Sequence, residues 1–80
     1  MTTILGLKLI NRSENAVELQ NILTEFGCAI KTRIGLHKTD TFSCDENGII
    51  ILELVDNKSA ILLENALLGI DNLTLSKMVL

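Results

Sequence analysis

The hydrophobic and polar positions of the chain predict six secondary-structure elements in the order β-α-β-β-α-β. Apolar residues spaced by three and four indicate the helices, whereas period-two alternation and unbroken apolar runs indicate the strands. The predicted helices are Glu14–Phe26 and Lys58–Leu68, and the predicted strands are Thr3–Ile10, Cys28–Gly35, Ile49–Val55 and Leu73–Leu80. This order predicts a single α+β domain over residues 1–80, a ferredoxin-like βαββαβ two-layer sandwich with both helices on one face of an antiparallel sheet.

Both predicted helices have recognisable ends. Ser13 is a typical N-cap for the first helix, and Gly27 follows that helix as its C′ residue. The second helix begins after Asp56 or Asn57 and stops at Gly69. It is apolar around most of its circumference, which is typical of a helix buried on more than one side. The stripes expected to face the sheet are Ala16, Leu19, Ile22, Leu23 and Phe26 in the first helix and Ala60, Leu63 and Leu67 in the second.

The apolar content of the strands predicts their order. Residues 48–55 are almost continuously apolar, which favours a central strand buried on both faces, and the charges of the second strand suit an edge. Both agree with the sheet order 4-1-3-2. Alternation along the second strand predicts that Cys28 lies in the core as a small hydrophobic residue. It places Ile30, Thr32 and Ile34 on the same helix-covered face and Lys31 and Arg33 on the open face.

Alternation along the first and third strands predicts an apolar open face on the sheet, made of Ile4, Ile10, Ile49 and Ile51. Each Ile side chain left in water forgoes roughly 1.5–3 kcal/mol, which is a large cost for a domain of this size. We therefore expect a homodimer or homotetramer that covers this face or pairs its strand edges.

Composition excludes several classes of function. The chain is 48% hydrophobic and has a formal net charge of −3, and its seven basic residues form no cluster that would bind nucleic acid. No run reaches the ~20 apolar residues of a membrane helix, and the start lacks the basic segment of a signal peptide. Two cysteines, Cys28 and Cys44, suit a reducing compartment, so we expect a cytoplasmic protein.

The corner between the first strand and the first helix is a candidate anion site. Asn11, Arg12 and Ser13 stand where free N–H groups of a helix N-terminus are expected, although a plain Ser13 cap explains the same residues. Lys31 and Arg33 are candidates for binding an acidic ligand, and cross-strand ion pairs or the rim of an interface are the alternatives for them. We take Asn11, Arg12, Ser13 and Arg33 as the candidate ligand-binding residues.

The polar segment 36–47 contains His37 and Cys44, which are weak candidates for metal ligands. Two ligands from one chain rarely suffice, because structural zinc sites use four, so we expect uncommitted side chains and no cofactor. The alternative is a site with four ligands, formed where a symmetric dimer pairs two such segments across its axis. The sequence also has no Gly-rich phosphate loop, no paired cysteines after the first strand and no nucleophile paired with a base. The expected protein is therefore not an enzyme.

Residues 11–27 end in Asn21-Ile22-Leu23-Thr24-Glu25-Phe26-Gly27 and lead into a strand that closes on Arg33-Ile34-Gly35. Residues 48–54 then lead into the second helix. Together they resemble the iron-only hydrogenase system regulators, a family of small stand-alone proteins. The resemblance implies a fold related to ACT domains and to the C-terminal domain of nickel-responsive regulators. It also implies ligands bound at subunit interfaces of dimers or tetramers. His37 and Cys44 alone fall near the positions of the nickel ligands, and the other histidines are missing.

These observations predict a small cytoplasmic regulatory or ligand-sensing module that acts as a homo-oligomer. The alternative is a structural or scaffolding subunit that associates with itself or another protein and has no small-molecule ligand.

Overall fold

A computed structural model of the protein describes residues 1–9, 12–36 and 48–80. The strands are β1 (Thr3–Leu9), β2 (Ile30–Leu36), β3 (Gly48–Leu54) and β4 (Leu73–Val79), and the helices are α1 (Arg12–Glu25) and α2 (Asn57–Leu67). A short 3₁₀ turn, Gly27–Ala29, connects α1 to β2. The predicted elements are all present among the described residues, and their ends lie within two residues of the predicted ends.

The four strands form one antiparallel sheet in the order β2-β3-β1-β4, which reads β4-β1-β3-β2 from the other edge. The two central strands are therefore β1 and β3. Leu5 of β1 lies between Leu52 of β3 and Lys77 of β4 in the register. This small α+β arrangement is consistent with a ferredoxin-like fold.

The core fills the layer between the sheet and the two helices. Both predicted helical stripes are confirmed: Leu19 and Leu23 are buried in α1, and Ala60, Leu63 and Leu67 are buried in α2. From the sheet, alternate residues of β1 and β3 point into the same layer because successive side chains of a strand point to opposite faces. The buried cluster comprises Leu5, Leu7, Leu9, Leu19, Leu23, Leu52, Leu54, Ala60, Leu63, Leu67 and Ile70.

The predicted ends were wrong for α1 and correct for the start of α2. Helix α1 begins at Arg12, so Ser13 is the second residue of the helix and not its N-cap. Gly27 does not have the positive φ of a C′ glycine, because the chain continues from α1 directly into a right-handed 3₁₀ turn. For α2 the prediction is confirmed, since Asp56 is the N-cap and its Oδ1 accepts a 2.7 Å hydrogen bond from the Ser59 amide.

A β-bulge in β2 reverses the predicted faces of that strand. Ile30 pairs with Leu54 and Thr32 pairs with Glu53, so the intervening Lys31 has no partner position on β3. The extra residue shifts the alternation by one, which moves every later side chain to the other face. Arg33 therefore lies opposite Leu52 on the helix-covered face, and Thr32 and Ile34 lie on the open face. The faces predicted for all three residues were wrong.

Cys28 is exposed, which contradicts its predicted place in the core. The prediction extended strand alternation back to residue 28, but β2 begins only at Ile30 and Cys28 belongs to the 3₁₀ turn. Residues two apart share a face only within a strand. Cys28 lies in the turn, so its spacing of two from Ile30 does not place it on the helix-covered face.

Two apolar surfaces are uncovered in the single chain. Strand β3 is central, but its open face is uncovered in the single chain and Ile49 is 42% exposed. Helix α2 is buried on one side only, contrary to the prediction, because Ile61 and Leu62 face away from the core, as does Leu68 just after the helix. Within the described ranges, no helix has the length and apolar character needed to cross a membrane.

Candidate functional site

A cleft of about 190 Å³ opens between α1 and the strands β2 and β3. Its walls carry both apolar groups and the polar side chains of Gln20 and Arg33, so it combines an apolar body with a small number of polar groups, as ligand pockets usually do. The residues that line it are Leu9, Ala16, Leu19, Gln20, Arg33, Gly35, Gly48, Ile49 and Ile50.

Two glycines on the helix-covered face of the sheet leave the space that forms the cleft. Gly35 pairs with Ile50 and Gly48 pairs with Leu9, and both pairs belong to the face that the helices cover. A Cβ atom placed on Gly35 meets no other atom within 4 Å. The sheet therefore presents bare backbone beneath α1, and a larger residue at position 35 would extend into the cleft.

Arg33 enters the cleft because of the bulge. With regular alternation it would point to the open face, whereas the extra residue Lys31 turns it towards α1. Its guanidinium Nη2 donates a hydrogen bond to Oε1 of Gln20. Gln20 stands four residues after Ala16, so both residues present the same side of the helix to the cleft.

This arrangement can bind an anionic group. A guanidinium has five N–H donors in a planar fork and no acceptor, and it recognises carboxylates and phosphates in a bidentate manner. The bond to Gln20 uses one donor and fixes the direction of the fork, which leaves other donors for a ligand. Ala16 and Ile50, which are both half-buried, supply the apolar surface for the remainder of such a ligand.

The second candidate cation, Lys31, is not in the cleft. Its Nζ lies 3.9 Å from Oε2 of Glu53, and Thr32 donates a 2.9 Å hydrogen bond from its hydroxyl to Oε1 of the same carboxylate. The predicted alternative for Lys31, a cross-strand ion pair, is thus confirmed. The prediction that Lys31 and Arg33 share one face was wrong, since the bulge separates them.

The other predicted site residues lie around the cleft or outside the description. Arg12 and Ser13 are the first two residues of α1, one turn before Ala16 of the cleft wall. Asn11, His37 and Cys44 fall outside the described residues. In the part of the chain that is described, no group of three or more His, Cys, Asp or Glu residues could hold a metal ion.

Sequence reasoning missed Gln20, Gly35 and Gly48. Gln20 was detectable, because its spacing of four from Ala16 places it beside the apolar stripe of α1. Gly35 and Gly48 stand on either side of the polar segment, but only the register shows that both belong to the helix-covered face.

Comparison with known proteins gives the fold and no activity. No family model matches this chain, and no curated protein matches it. The chain is similar to the structure of an uncharacterized protein from Thermotoga maritima, with a TM-score of 0.76 and 22% sequence identity. The similarity covers 96% of this chain and 92% of the other. At this identity the likeness supports the small α+β fold and carries no functional assignment.

Proposed function

We propose that this protein is a small cytoplasmic regulatory module that senses a small organic acid in the Arg33 cleft and acts as a homo-oligomer. The observation that carries the proposal is the guanidinium of Arg33, held by Gln20 at the wall of a partly apolar cleft. In this proposal the domain is ACT-like, with the sheet order 4-1-3-2. The resemblance to iron-only hydrogenase system regulators supports a regulatory role.

The size and charge of the cleft favour a small ligand with one anionic group. Its volume of about 190 Å³ is below the ~300–1,000 Å³ that is usual for drug-sized ligands. Arg33 is the one charged residue among its described lining residues, so a single carboxylate matches it better than a polyphosphate. The chain's net charge of −3 further disfavours a ligand with several negative charges.

The described lining residues favour binding over catalysis. They include one titratable side chain, Arg33, and a guanidinium does not lose its proton in proteins. General acid–base chemistry needs a group whose pKa lies near the working pH, and nucleophilic catalysis needs an activated nucleophile. We therefore propose a binding protein and not an enzyme.

Thermal-shift measurements with a panel of small carboxylic acids, amino acids, nucleotides and divalent metals test this proposal. A ligand that binds only the folded state stabilises it by about 2.7 kcal/mol at a hundred times its Kd. We expect stabilisation by a carboxylic acid in the wild type and in Lys31→Gln, and loss of that stabilisation in Arg33→Gln. Lys31→Gln is the matched control because it removes an exposed cation from outside the cleft. Stabilisation that survives Arg33→Gln would exclude the cleft as the binding site.

The second candidate function is a scaffolding subunit without a small-molecule ligand. The uncovered apolar face of the sheet favours it, because Ile34, Ile49 and Met78 are each more than 40% exposed. A protein of this kind would associate stably and show no thermal shift with any member of the panel.

A further inference from the structure

The open face of the sheet combines apolar residues with the charged side chains of Lys8 and Glu53. The register places Ile34, Ile51, Gly6 and Ser76 in one row across the four strands. The row on one side contains Thr32, Glu53, Ile4 and Met78, and the row on the other side contains Ile49, Lys8 and Thr74. Ile34 is 47%, Ile49 42% and Met78 54% exposed. An apolar sheet face of this kind normally packs against another layer.

Lys8 and Glu53 occupy opposite ends of this face. Lys8 on β1 pairs with Ile49, which is four residues before Glu53 on β3. The two charged residues are therefore about 13 Å apart in the direction of the strands and about 4.8 Å, one strand spacing, apart across the sheet. That distance exceeds the reach of the two side chains, so they do not form an ion pair with each other within one chain.

We propose that the open face is the interface of a homodimer in which Glu53 of each protomer lies against the partner's Lys8. The two-fold axis of this dimer lies midway between the two sheets, parallel to them and perpendicular to the line from Glu53 to Lys8. Rotation about this axis brings Glu53 of one protomer over Lys8 of its partner. One such axis therefore forms two ion pairs and places apolar surface against apolar surface. This deepens the homo-oligomer part of the proposed function by naming the contacting surface.

The packing angle of this dimer agrees with ordinary sheet packing. The line from Glu53 to Lys8 is tilted by roughly 20° from the strands, so the strands of the two sheets cross at twice that angle, roughly 40°. With a right-handed β1-α1-β2 crossover the sign of the crossing is negative. Aligned sheet packing has a crossing angle near −30°, because each sheet is twisted. The charge pairing and the preferred packing of two sheets thus select similar orientations.

Glu53 is able to exchange its present partner. Lys31 is 67% exposed and its Nζ lies 3.9 Å from the carboxylate, which makes it a weak pair in water. Thr32 holds the other carboxylate oxygen with a hydrogen bond and so orients the group on the open face. The partner's Lys8 can therefore approach Glu53 with little loss of existing interaction.

Charge-swap variants and sedimentation equilibrium test the pairing. We expect Lys8→Glu and Glu53→Lys each to raise the dimer dissociation constant by at least about tenfold, since each places like charges together at both ends of the interface. The double swap, Lys8→Glu with Glu53→Lys, should return it to within about threefold of the wild type. Lys58→Glu on α2 makes the same charge change as Lys8→Glu and should have no effect, because Lys58 is exposed on another surface.

A second pair of variants tests the apolar surface. Ile49→Lys on the sheet should be monomeric by sedimentation equilibrium and still folded by circular dichroism. Leu62→Lys on the outer side of α2 should remain dimeric. A monomeric wild type at micromolar concentration, or a dimer broken by Leu62→Lys and not by Ile49→Lys, would overturn the inference. So would a double swap that fails to restore the dimer. The thermal-shift panel is read separately, so loss of carboxylate binding contradicts the proposed function and leaves the interface assignment intact.

Discussion

Arg33 on β2 donates a hydrogen bond to Gln20 on α1, and this contact joins the sheet to the helix layer at the edge of the core. It forms because the bulge at Lys31 turns Arg33 away from the open face. One extra residue in an edge strand thus places an exposed cation at the wall of a cleft, while the following residue, Ile34, becomes part of the open apolar face.

Filling the cleft should remove ligand binding without damaging the fold. We expect Gly35→Val to leave the free energy of unfolding unchanged or to raise it by up to about 1 kcal/mol, because a β-branched residue favours a strand and relieves the entropy cost of glycine. The substitution meets open space, since nothing lies within 4 Å of the new Cβ. Urea denaturation measures the stability, and the carboxylic acid panel measures binding, which should be lost.

Gly69→Ala is the matched control for this experiment. Its Cβ also meets nothing within 4 Å, but Gly69 lies after α2 and does not line the cleft. The control should keep the ligand-induced thermal shift of the wild type. Retained binding in Gly35→Val would place the ligand elsewhere.

Neighbouring leucines on α2 should differ sharply in their contribution to stability. Leu63 is fully buried and Leu62 is 53% exposed. We expect Leu63→Ala to cost about 2–5 kcal/mol, because it leaves a cavity in a close-packed core. Leu62→Ala should change the free energy of unfolding by less than about 0.5 kcal/mol. Urea denaturation of both variants at one protein concentration gives the comparison, and equal effects would mean that α2 packs with a different face inward.

The contrast between these leucines was predictable from sequence, because the helical spacing of Ala60, Leu63 and Leu67 selects one face of α2. The central position of β3 was predictable in the same way from its apolar run. The bulge was not predictable, since no residue type in the segment Ile30-Lys31-Thr32 marks an unpaired position. Without the bulge, the sequence places Arg33 on the wrong face of the sheet. It therefore predicts Arg33 as a ligand-binding residue but does not predict the cleft around it.

Acid should weaken the N-terminus of α2 through Asp56. The amide of Ser59 donates a hydrogen bond to Oδ1 of Asp56, which lowers the pKa of that carboxyl below its ordinary value. The folded state therefore favours the carboxylate. Its contribution to stability is complete above the ordinary aspartate pKa of about 3.9 and is lost as the pH falls through the lower pKa of the folded state.

Comparison of the wild type with Asp56→Ala at several pH values measures this contribution. The variant should have a lower Tm at pH 7, and the difference in Tm should shrink as the pH falls below about 4. Asp56→Asn is the control, because its amide oxygen caps the helix without titrating in this range. A Tm difference between wild type and Asp56→Ala that stays constant down to pH 2 would show that charge does not contribute to the cap.

Deleting Lys31 should remove the bulge and leave the faces of β2 unchanged. Ile30 would then precede Thr32 directly, and the pairs with Leu54 and Glu53 would follow each other in regular register. Arg33 would remain opposite Leu52 and within reach of Gln20. The loss is one exposed ion pair of about 0–1 kcal/mol, so we expect the free energy of unfolding to change by no more than about 1 kcal/mol.

Double-mutant cycles show whether the strand keeps its register in this deletion. The coupling energy between Gln20 and Arg33, measured with Gln20→Ala and Arg33→Ala, should be the same in the deletion as in the full chain. Lys31→Ala is the matched control, since it removes the ion pair with Glu53 and retains the extra residue. If the coupling disappears in the deletion and persists in Lys31→Ala, the strand has slipped, and the bulge itself is then required to hold Arg33 against α1.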